Sequence, residues 1–213
     1  MVDRTSCLLV AAAPCPDPEI YGAIIRSAEN IIAVDGGVDL CKVLGRAPGH
    51  AVGDFDSASP EGLSWARAVG SHIIALPVDK DESDLDIALQ HAVALGFTTA
   101  TVLCALSGRL DHTIATLGTA WRTPAISLMF WSPEFEGYIM SEHSRNRLEV
   151  PEEGRRVSLL AGPGGAVVTM VGFRFPLLRG QIPELSSLGI SNVTETSGAR
   201  IEVHEGTVMA ILS

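Results

Sequence analysis

Short apolar runs alternate with amphipathic stretches over the first 130 residues of the chain. Each run has the length of a buried strand, and each precedes a segment that fits a helix. The six predicted strands are CLLVAAA (7–13), NIIAVD (30–35), HAVGDFD (50–56), HIIALP (72–77), TATVLCAL (99–106) and AISLMF (125–130). This alternation predicts an α/β domain with a mostly parallel, doubly wound sheet and helices on both faces.

From about residue 136 the pattern changes to short alternating segments separated by Gly and Pro. The predicted strands there are RRVSLLAG (155–162), GAVVTMVG (165–172), ARIEVHEG (199–206) and TVMAILS (207–213). Such strands, without helices between them, are typical of antiparallel β structure. We therefore predict two domains, an α/β domain over residues 1–132 and a smaller all-β, sandwich-like domain over residues 133–213.

Composition narrows the class of protein. The 213 residues carry a formal net charge of −10, which disfavours nucleic acid or an anionic membrane surface as a partner. No segment reaches the roughly 18 to 20 apolar residues of a membrane span, and the N-terminal run is too short for a secretory signal. The four cysteines form no C-x-x-C pair and are expected to be reduced and mostly buried. These features predict a cytoplasmic protein.

The residues that follow each predicted strand are the candidate site, because ligands of an open α/β sheet bind beyond the carboxyl ends of its strands. The second strand ends in VDGG, where Asp35 precedes Gly36 and Gly37, which let a ligand approach the backbone closely. The third strand ends in GDFDS. If it continues through Asp56, side-chain alternation puts the carboxylates of Asp54 and Asp56 on one face.

The segment DKDESDLDIAL, residues 79–89, follows the fourth strand. Ser83 and Asp86 have the spacing of a capping box, which predicts a helix that begins at Asp84. Asp81 then lies in the loop before this helix, and Asp84 lies in its first turn. Acidic residues in a first turn also stabilise the helix dipole, so a purely structural role for Asp84 and Asp86 is an alternative.

The segment SGRLDHTIATL, residues 107–117, follows the fifth strand. Ile114, Leu117 and Trp121 share one face of a predicted helix, which we expect to pack on the core. Asp111 has the alternative role of a helix N-cap.

A cationic side chain stands in the same segment. Arg109 lies in a glycine-bearing loop at the helix N-terminus, a position suited to bidentate phosphate contact, although a solvated surface charge is the alternative. His112 either orients Asp111 or packs. Carboxylates that converge near Arg109 repel one another, and a hard cation such as Mg²⁺ would offset this repulsion.

Carboxylates, Mg²⁺ and a phosphate-binding arginine together favour phosphoryl or nucleotidyl transfer. The chain contains neither G-x-x-x-x-G-K-[ST] nor G-x-S-x-G, which disfavours a P-loop enzyme and an α/β-hydrolase. No pair of histidines has the sequence spacing of metal ligands.

Six motifs in order resemble those of the thiamine pyrophosphokinase family. Four lie in the first half, namely VDGG (34–37), VGDFDS (52–57), DKDESDLDIAL (79–89) and SGRLDHTIATL (107–117). In the second half, VGFRFPL (171–177) and LGISN (188–192) resemble the thiamine-binding β domain of that family. The resemblance implies an α/β domain that binds ATP and Mg²⁺, a β domain that binds thiamine, and a homodimer with the site between subunits. The implied reaction transfers a pyrophosphoryl group from ATP to the hydroxyethyl oxygen of thiamine, giving AMP and thiamine diphosphate.

The resemblance also implies roles for individual residues. The residues expected to act in catalysis are Asp54, Asp56, Asp81 and Asp84, and those expected to hold the metal are Asp54, Asp56 and Asp84. The residues expected to bind ATP are Asp35, Gly36, Gly37, Ser57, Lys80, Ser107, Arg109, Asp111 and His112. Ser191 and Asn192 are expected to bind thiamine.

Two other functions compete with this one. A pyrophosphokinase for another alcohol, such as a hydroxymethylpterin, would share the ATP motifs, but LGISN favours thiamine. A non-catalytic sensor of thiamine diphosphate or nucleotide would be expected to lack part of the acidic set. All five of its members are present: Asp35, Asp54, Asp56, Asp81 and Asp84. The sequence leaves open which carboxylate accepts the hydroxyl proton, and which aromatic side chain among Phe173, Phe175 and Trp131 contacts thiamine.

Overall fold

The computed structural model describes residues 5–106 and 109–213, in two compact units that divide between Leu117 and Gly118. The first unit is an α/β structure, and the second consists mostly of β-strands. Within the described residues, no helix is long and apolar enough to cross a membrane.

The first unit is built on a parallel sheet with the strand order β5-β1-β2-β3-β4. Its strands are β1 (Ser6–Val10), β2 (Ile31–Val34), β3 (His50–Gly53), β4 (His72–Ala75) and β5 (Thr99–Leu103). All four residues of β2 are buried, as expected for a strand covered on both faces. The predicted parallel α/β sheet is confirmed.

Helices follow each of these five strands. They are α1 (Gly22–Ser27), α2 (Gly37–Val43), α3 (Pro60–Ala68), α4 (Asp84–Ala94) and α5 (Leu110–Arg122), with a short 3₁₀ helix at Pro18–Tyr21 before α1. Along the sheet, β2, β3 and β4 follow β1 on one side, and β5 pairs with β1 on its other side. Because connections between parallel strands are right-handed, this reversal of direction puts helices on both faces of the sheet. Accordingly, α2 contacts β1 and β2, and α4 contacts β2 and β3.

The predicted start of α4 is confirmed. Ser83 is the N-cap, its hydroxyl accepts a hydrogen bond from the Asp86 backbone N–H, and the Asp86 carboxylate accepts one from the Ser83 N–H. The apolar positions of the predicted stripe are all buried, namely Leu85, Ala88, Leu89 and Ala92. This helix therefore begins where its capping box and apolar spacing indicate.

The second unit is antiparallel. Its strands are β6 (Ser127–Ser132), β7 (Phe135–Ser141), β8 (Arg147–Val150), β9 (Arg156–Val171), β10 (Leu177–Ile182), β11 (Asn192–Val193) and β12 (Ala199–Leu212), with a 3₁₀ helix at Ser187–Gly189. The strand order is β10-β9-β12-β7-β6, and β11 pairs with β9 while β8 pairs with β12.

Two long strands give this unit its core. β12 pairs with β8 through residues 199–202 and with β7 through residues 207–212. The change of partner falls at Gly206, where a Cβ atom would lie 2.3 Å from the carbonyl oxygen of Gly165. Glycine therefore permits the close crossing of β9 and β12. Side chains from both halves of β9 and β12 form one buried cluster, which includes Leu159, Met170 and Ile201.

The sixth predicted strand differs from the other five. Strand β6 runs directly into β7 as an antiparallel hairpin, and the expected helix after it is wrong. The connection is Pro133 and Glu134, and the Ser132 hydroxyl accepts a 3.2 Å hydrogen bond from the Glu134 N–H. Proline and this serine turn reverse the chain before a helix can start. The assignment of residues 1–132 to ATP and 133–213 to thiamine stays a prediction.

Candidate active site

Three carboxylates meet at the carboxyl edge of the parallel sheet. Asp35 follows β2, Asp54 follows β3, and Asp84 is the first residue of α4. One oxygen from each lies within 4.8 Å of the others. We call these three residues the acid cluster. They stand where ligands of an open α/β sheet bind.

The backbone at the strand ends brings the first two acids together. The Asp35 N–H donates a 2.9 Å hydrogen bond to the carbonyl of Val52, and a Cβ atom on Gly53 would lie 2.9 Å from the Asp35 Cα. Gly53 therefore has no room for a side chain. Asp35 and Phe55 adopt left-handed conformations, with φ of 49° and 63°. Such strained residues gather at functional sites, where the surrounding structure holds them in place.

Lys80 neutralises part of the acid cluster. Its Nζ lies 2.8 Å from Asp54 Oδ2 and 3.2 Å from Asp84 Oδ1, and it also donates to the carbonyl of Pro77 at 3.1 Å. The hydrogen bond from Lys80 lowers the pKa of Asp54, and the same bond raises the pKa of Lys80. The positive charge of Lys80 therefore balances two of the three carboxylates, in a position that a metal ion could also occupy.

Asp35 carries a buried, unpaired oxygen in the acid cluster. Burial raises the pKa of its carboxyl, a hydrogen bond with Ser57 opposes this, and the charges of Asp84 and Asp56 raise it further. Its Oδ1 is buried and has no hydrogen-bond partner among the described residues. An unpaired buried oxygen beside two other carboxylates suits a hard divalent cation, which takes oxygen ligands.

Asp56 lies outside the acid cluster. β3 ends at Gly53, and the left-handed Phe55 turns the chain, so the shared strand face expected for Asp54 and Asp56 is wrong. The Asp56 N–H donates instead to Asp54 Oδ1 at 3.2 Å, and the Ser57 hydroxyl donates to Asp56 Oδ1 at 3.0 Å. Asp56 and Ser57 are exposed.

Two further predicted positions flank the acid cluster. Asp81 is exposed on the turn before Ser83 and does not join the cluster. Gly37 packs against the end of β1, where a Cβ atom would lie 1.8 Å from the Val10 carbonyl oxygen. Gly36 is also confined, because its Cβ atom would lie 2.9 Å from the Ser57 carbonyl oxygen. Close packing alone is therefore sufficient to explain why both positions are glycine.

The predicted phosphate contacts at α5 are exposed. Arg109 Nη2 lies 2.7 Å from Asp111 Oδ2, and this contact lowers the pKa of Asp111. Exposed pairs of this kind contribute little to stability, so the fold does not depend on them. Asp111 is the second residue of α5 and therefore not its N-cap, and His112 is exposed. Ser107 lies outside the described residues.

The predicted apolar face of α5 is only partly correct. Leu117 and Trp121 are half-buried, whereas Ile114 is 61% exposed, and so is most of Leu110. The buried residues of the helix are Thr119 and Ala120. The expectation that Ile114 packs on the core of its own chain is wrong, and α5 presents apolar surface beside Arg109.

The two motifs of the second unit meet through one side chain. Asn192 is buried, its Nδ2 donates to the Phe175 carbonyl at 2.8 Å, and its Oδ1 accepts from the N–H groups of Phe175 and Val193 at 3.1 and 2.9 Å. Ser191 is exposed with φ of 57°, and its N–H donates to Ser158 Oγ. Phe173 is buried, and Phe175 is exposed.

The sequence predicts Asp35 as an ATP-binding residue close to the metal-holding acids, whereas the structure puts its carboxylate together with those of Asp54 and Asp84. The available signal was the strand order, since acids that follow neighbouring parallel strands reach the same edge of the sheet. Sequence reasoning also missed a cluster of His50, His72 and His91, whose rings lie close together although their sequence spacing is irregular.

Comparisons with known proteins identify the family of this chain. The model of the family "Thiamin pyrophosphokinase, catalytic domain" matches residues 21–130. The thiamine pyrophosphokinase of Bacillus subtilis is 24% identical over 184 residues, which cover 85% of this chain and 86% of that protein.

Solved structures show the same fold. The crystal structure of the Bacillus subtilis thiamine pyrophosphokinase superposes with a TM-score of 0.79 over 98% of both chains, at 24% identity. The Geobacillus thermodenitrificans thiamin pyrophosphokinase gives a TM-score of 0.78 at 25% identity, over 98% of this chain and 97% of that one. The Candida albicans protein gives 0.78 at 17% identity, over 97% and 88%. Because the family model matches more than half of its residues, the chain belongs to the thiamin pyrophosphokinase family of enzymes.

Proposed function

We propose that this protein transfers the pyrophosphoryl group of ATP to the hydroxyethyl oxygen of thiamine, with thiamine diphosphate and AMP as products. The observation that carries the proposal is the acid cluster with Lys80 at the carboxyl edge of the sheet. Membership of this enzyme family implies the use of ATP and, as a rule, of a metal ion. Neutralising and positioning polyphosphate is the main task of phosphoryl-transfer catalysts.

The acid cluster is the proposed Mg²⁺ site. Its three carboxylates supply oxygen ligands, and the unpaired Oδ1 of Asp35 supports its inclusion in place of Asp56. When bound, the ion would neutralise charge on the phosphates during transfer. Asp56 and Asp81 are exposed on the two loops beside the cluster, and we assign them contacts with the substrates.

The ATP site combines backbone and cationic groups. Gly36 and Gly37 follow Asp35 at the end of β2, where we assign their backbone to ATP, and Ser57 is exposed beside them. Lys80 would exchange its contact with Asp54 for a phosphate oxygen once the acids hold a divalent ion. The exposed side chains at the start of α5 that we assign to the nucleotide are Arg109, Asp111 and His112. Ser107, which lies outside the described residues, is assigned to the nucleotide from the sequence motif alone.

The reaction forms one bond and breaks another. The hydroxyethyl oxygen of thiamine attacks the β-phosphorus of ATP, the bond from that phosphorus to the α,β-bridging oxygen breaks, and AMP leaves with that oxygen. The hydroxyl proton passes to a carboxylate near the acid cluster.

We assign thiamine to the second unit, and the ATP site to the first, as two functional domains. Ser191 and Asn192 are the proposed thiamine-side residues. Because the Asn192 amide is occupied by the backbone of Phe175 and Val193, we assign it the role of holding Phe175 in place. The exposed ring of Phe175 is then the aromatic surface offered to the cationic thiazolium.

We also propose a homodimer in the cytoplasm. Large exposed apolar side chains support the dimer, since a monomer gains nothing from them; they are Leu110, Ile114, Phe175, Leu178, Leu188 and Ile190. Four free thiols, three of them buried, support a reducing compartment. Light scattering on a size-exclusion column should give twice the chain mass of 22.5 kDa. A mass of one chain at micromolar concentration would contradict the dimer.

Acceptor choice tests the proposed reaction. Purified protein is mixed with ATP and Mg²⁺, and AMP release is compared with thiamine, with a hydroxymethylpterin and with no acceptor. We expect AMP only with thiamine, in equal amount to the thiamine consumed. AMP release with the pterin would favour the alternative pyrophosphokinase. A protein that binds thiamine diphosphate but releases no AMP with any acceptor would be a sensor.

A further inference from the structure

Three histidines meet at the edge of the parallel sheet opposite the acid cluster. His50 and His72 are the first residues of β3 and β4, and they are register partners in the parallel ladder, so their side chains share one face. His91 lies in the last turn of α4, which covers β3 on that face. We call these residues the histidine cluster.

Two of the three rings already have the spacing of metal ligands. His91 Nε2 lies 3.1 Å from His50 Nδ1. Two nitrogens that each bind one tetrahedral ion at about 2.0–2.1 Å lie roughly 3.3 Å apart. The ring centroids of His50 and His91 are 4.8 Å apart, and those of His50 and His72 are 5.5 Å apart, both in edge-to-face arrangements.

The chemistry of the rings agrees with this spacing. Burial lowers the pKa of both His50 and His91, so the rings keep the neutral form that binds a metal. In the present hydrogen bond one ring donates its proton to the other, and an ion would take the place of that proton. His72 is exposed and its ring centroid lies 5.5 Å from that of His50, so the proposed site requires its side chain to rotate toward the other two rings.

We propose that His50, His72 and His91 bind a divalent transition-metal ion of the Zn²⁺ class. Three imidazoles favour Zn²⁺, Co²⁺, Ni²⁺ or Cu²⁺ over Mg²⁺, which takes oxygen ligands, so the site is chemically separate from the acid cluster. The ion would join β3, β4 and α4. Two of these elements also carry acids of the cluster, because Asp54 follows β3 and Asp84 begins α4. The bound ion would therefore stabilise the elements that carry the proposed catalytic residues. This proposal does not depend on which reaction takes place at the acid cluster.

Co²⁺ and Zn²⁺ are the probes for this site. Full-length protein is stripped with a chelator, returned to buffer with excess Mg²⁺ to saturate oxygen sites, and titrated with Co²⁺ by visible absorption and with Zn²⁺ by calorimetry. We expect one ion per chain, a visible Co²⁺ band typical of low coordination number, and a rise in thermal stability on Zn²⁺ binding. Each of His50→Gln, His72→Gln and His91→Gln should weaken Zn²⁺ binding at least about tenfold.

His143→Gln is the matched control, because His143 is exposed beside Glu142 in the second unit. This variant should bind Zn²⁺ as the unaltered chain does. His72 is itself exposed, so His72→Gln tests the proposal even if replacing a partly buried histidine unfolds the chain. The proposal is overturned if the unaltered chain shows no Co²⁺ band, or if His72→Gln and His91→Gln leave Zn²⁺ affinity unchanged; the cluster is then a histidine–histidine hydrogen bond only. A sulfur-to-cobalt band in the near ultraviolet would overturn it as well, since it would indicate cysteine ligands.

Discussion

Lys80 donates a 2.8 Å hydrogen bond from its ammonium group to Oδ2 of Asp54, and both side chains are largely withdrawn from solvent. The same ammonium lies 3.2 Å from Asp84. One positive charge therefore balances two of the three acids at the proposed metal site. A divalent ion and Lys80 compete for the same carboxylate oxygens, and this competition is measurable.

Replacing Lys80 with Gln should lower the melting temperature measured without divalent ions, because Asp54 and Asp84 lose their counter-charge. We expect a drop of about 2–4 °C, the shift that 1 kcal/mol produces in a chain of this size. The stabilisation by Mg²⁺ should grow, since its competitor is gone. Lys42→Gln is the control, because Lys42 is the only other lysine of the chain and lies in the last turn of α2. Equal Mg²⁺ stabilisation in Lys80→Gln and the unaltered chain would argue against competition.

Asp35 and Asp56 make a matched pair for the identity of the metal ligands. Asp35 lies in the acid cluster, and Asp56 is exposed outside it. Asp35→Asn should weaken Mn²⁺ binding, measured by calorimetry without nucleotide, at least about tenfold, since hard cations depend on charged oxygen ligands. Asp56→Asn should change it less than about threefold, as expected for a charge that acts from outside the site. The reverse order of effects would return Asp56 to the metal site.

The contrast between these two acids shows how far the sequence predicts the site. Alternation correctly predicted β3 and the region of the acids beyond it. It failed beyond Gly53, where β3 ends three residues before Asp56 and the left-handed Phe55 turns the chain. A non-glycine residue with positive φ is rare, and nothing in GDFDS distinguishes it from an extended residue. The conformation of Phe55 therefore determines which acids converge, and the pattern of apolar and polar residues does not predict that conformation.

Helix α4 and the segment after strand β6 show which parts of the fold the sequence predicts and which it does not. The capping box and the apolar spacing predicted α4 correctly because both are local. After β6 the chain turns at Pro133 and pairs with β7, and this pairing favours a second strand over the expected helix. The histidine cluster was invisible for a related reason. His50, His72 and His91 come from three separate elements, so their proximity exists only in the folded sheet.

Replacing Asn192 should lower the stability of the fold more than replacing Ser191. Its buried amide makes hydrogen bonds with both backbone groups of Phe175, and Asn192→Ala leaves them unpaired. We expect a loss of about 2–3 kcal/mol in the free energy of unfolding, measured by urea denaturation. Ser191→Ala removes an exposed hydroxyl and keeps the backbone contact with Ser158, so it should change stability by less than about 0.5 kcal/mol. Equal stability of the two variants would show that Asn192 does not hold Phe175.

Thiol labelling should separate Cys15 from the other cysteines. Burial raises the pKa of Cys7, Cys41 and Cys104 to about 12, whereas Cys15 is half-exposed. A raised pKa lowers the thiolate fraction at a given pH, and a thiol with a pKa of about 12 is only about 10⁻⁴ ionised at pH 8. With iodoacetamide, mass spectrometry should find Cys15 modified first, at a rate that still rises above pH 9, because burial raises its pKa too. Rapid labelling of Cys41 in the folded protein would contradict this assignment.

The fate of the phosphorus atoms tests the proposed reaction most directly. Phosphorus NMR follows purified protein with ATP, Mg²⁺ and thiamine, and then the Asp54→Asn variant, which keeps the shape of the side chain. We expect AMP and thiamine diphosphate in equal amounts, without ADP, and a rate at least about 100-fold lower in Asp54→Asn, as for loss of a group that stabilises developing charge. Circular dichroism should show that this variant is folded. ADP with thiamine monophosphate, free pyrophosphate without loss of thiamine, or normal turnover in Asp54→Asn would contradict the account.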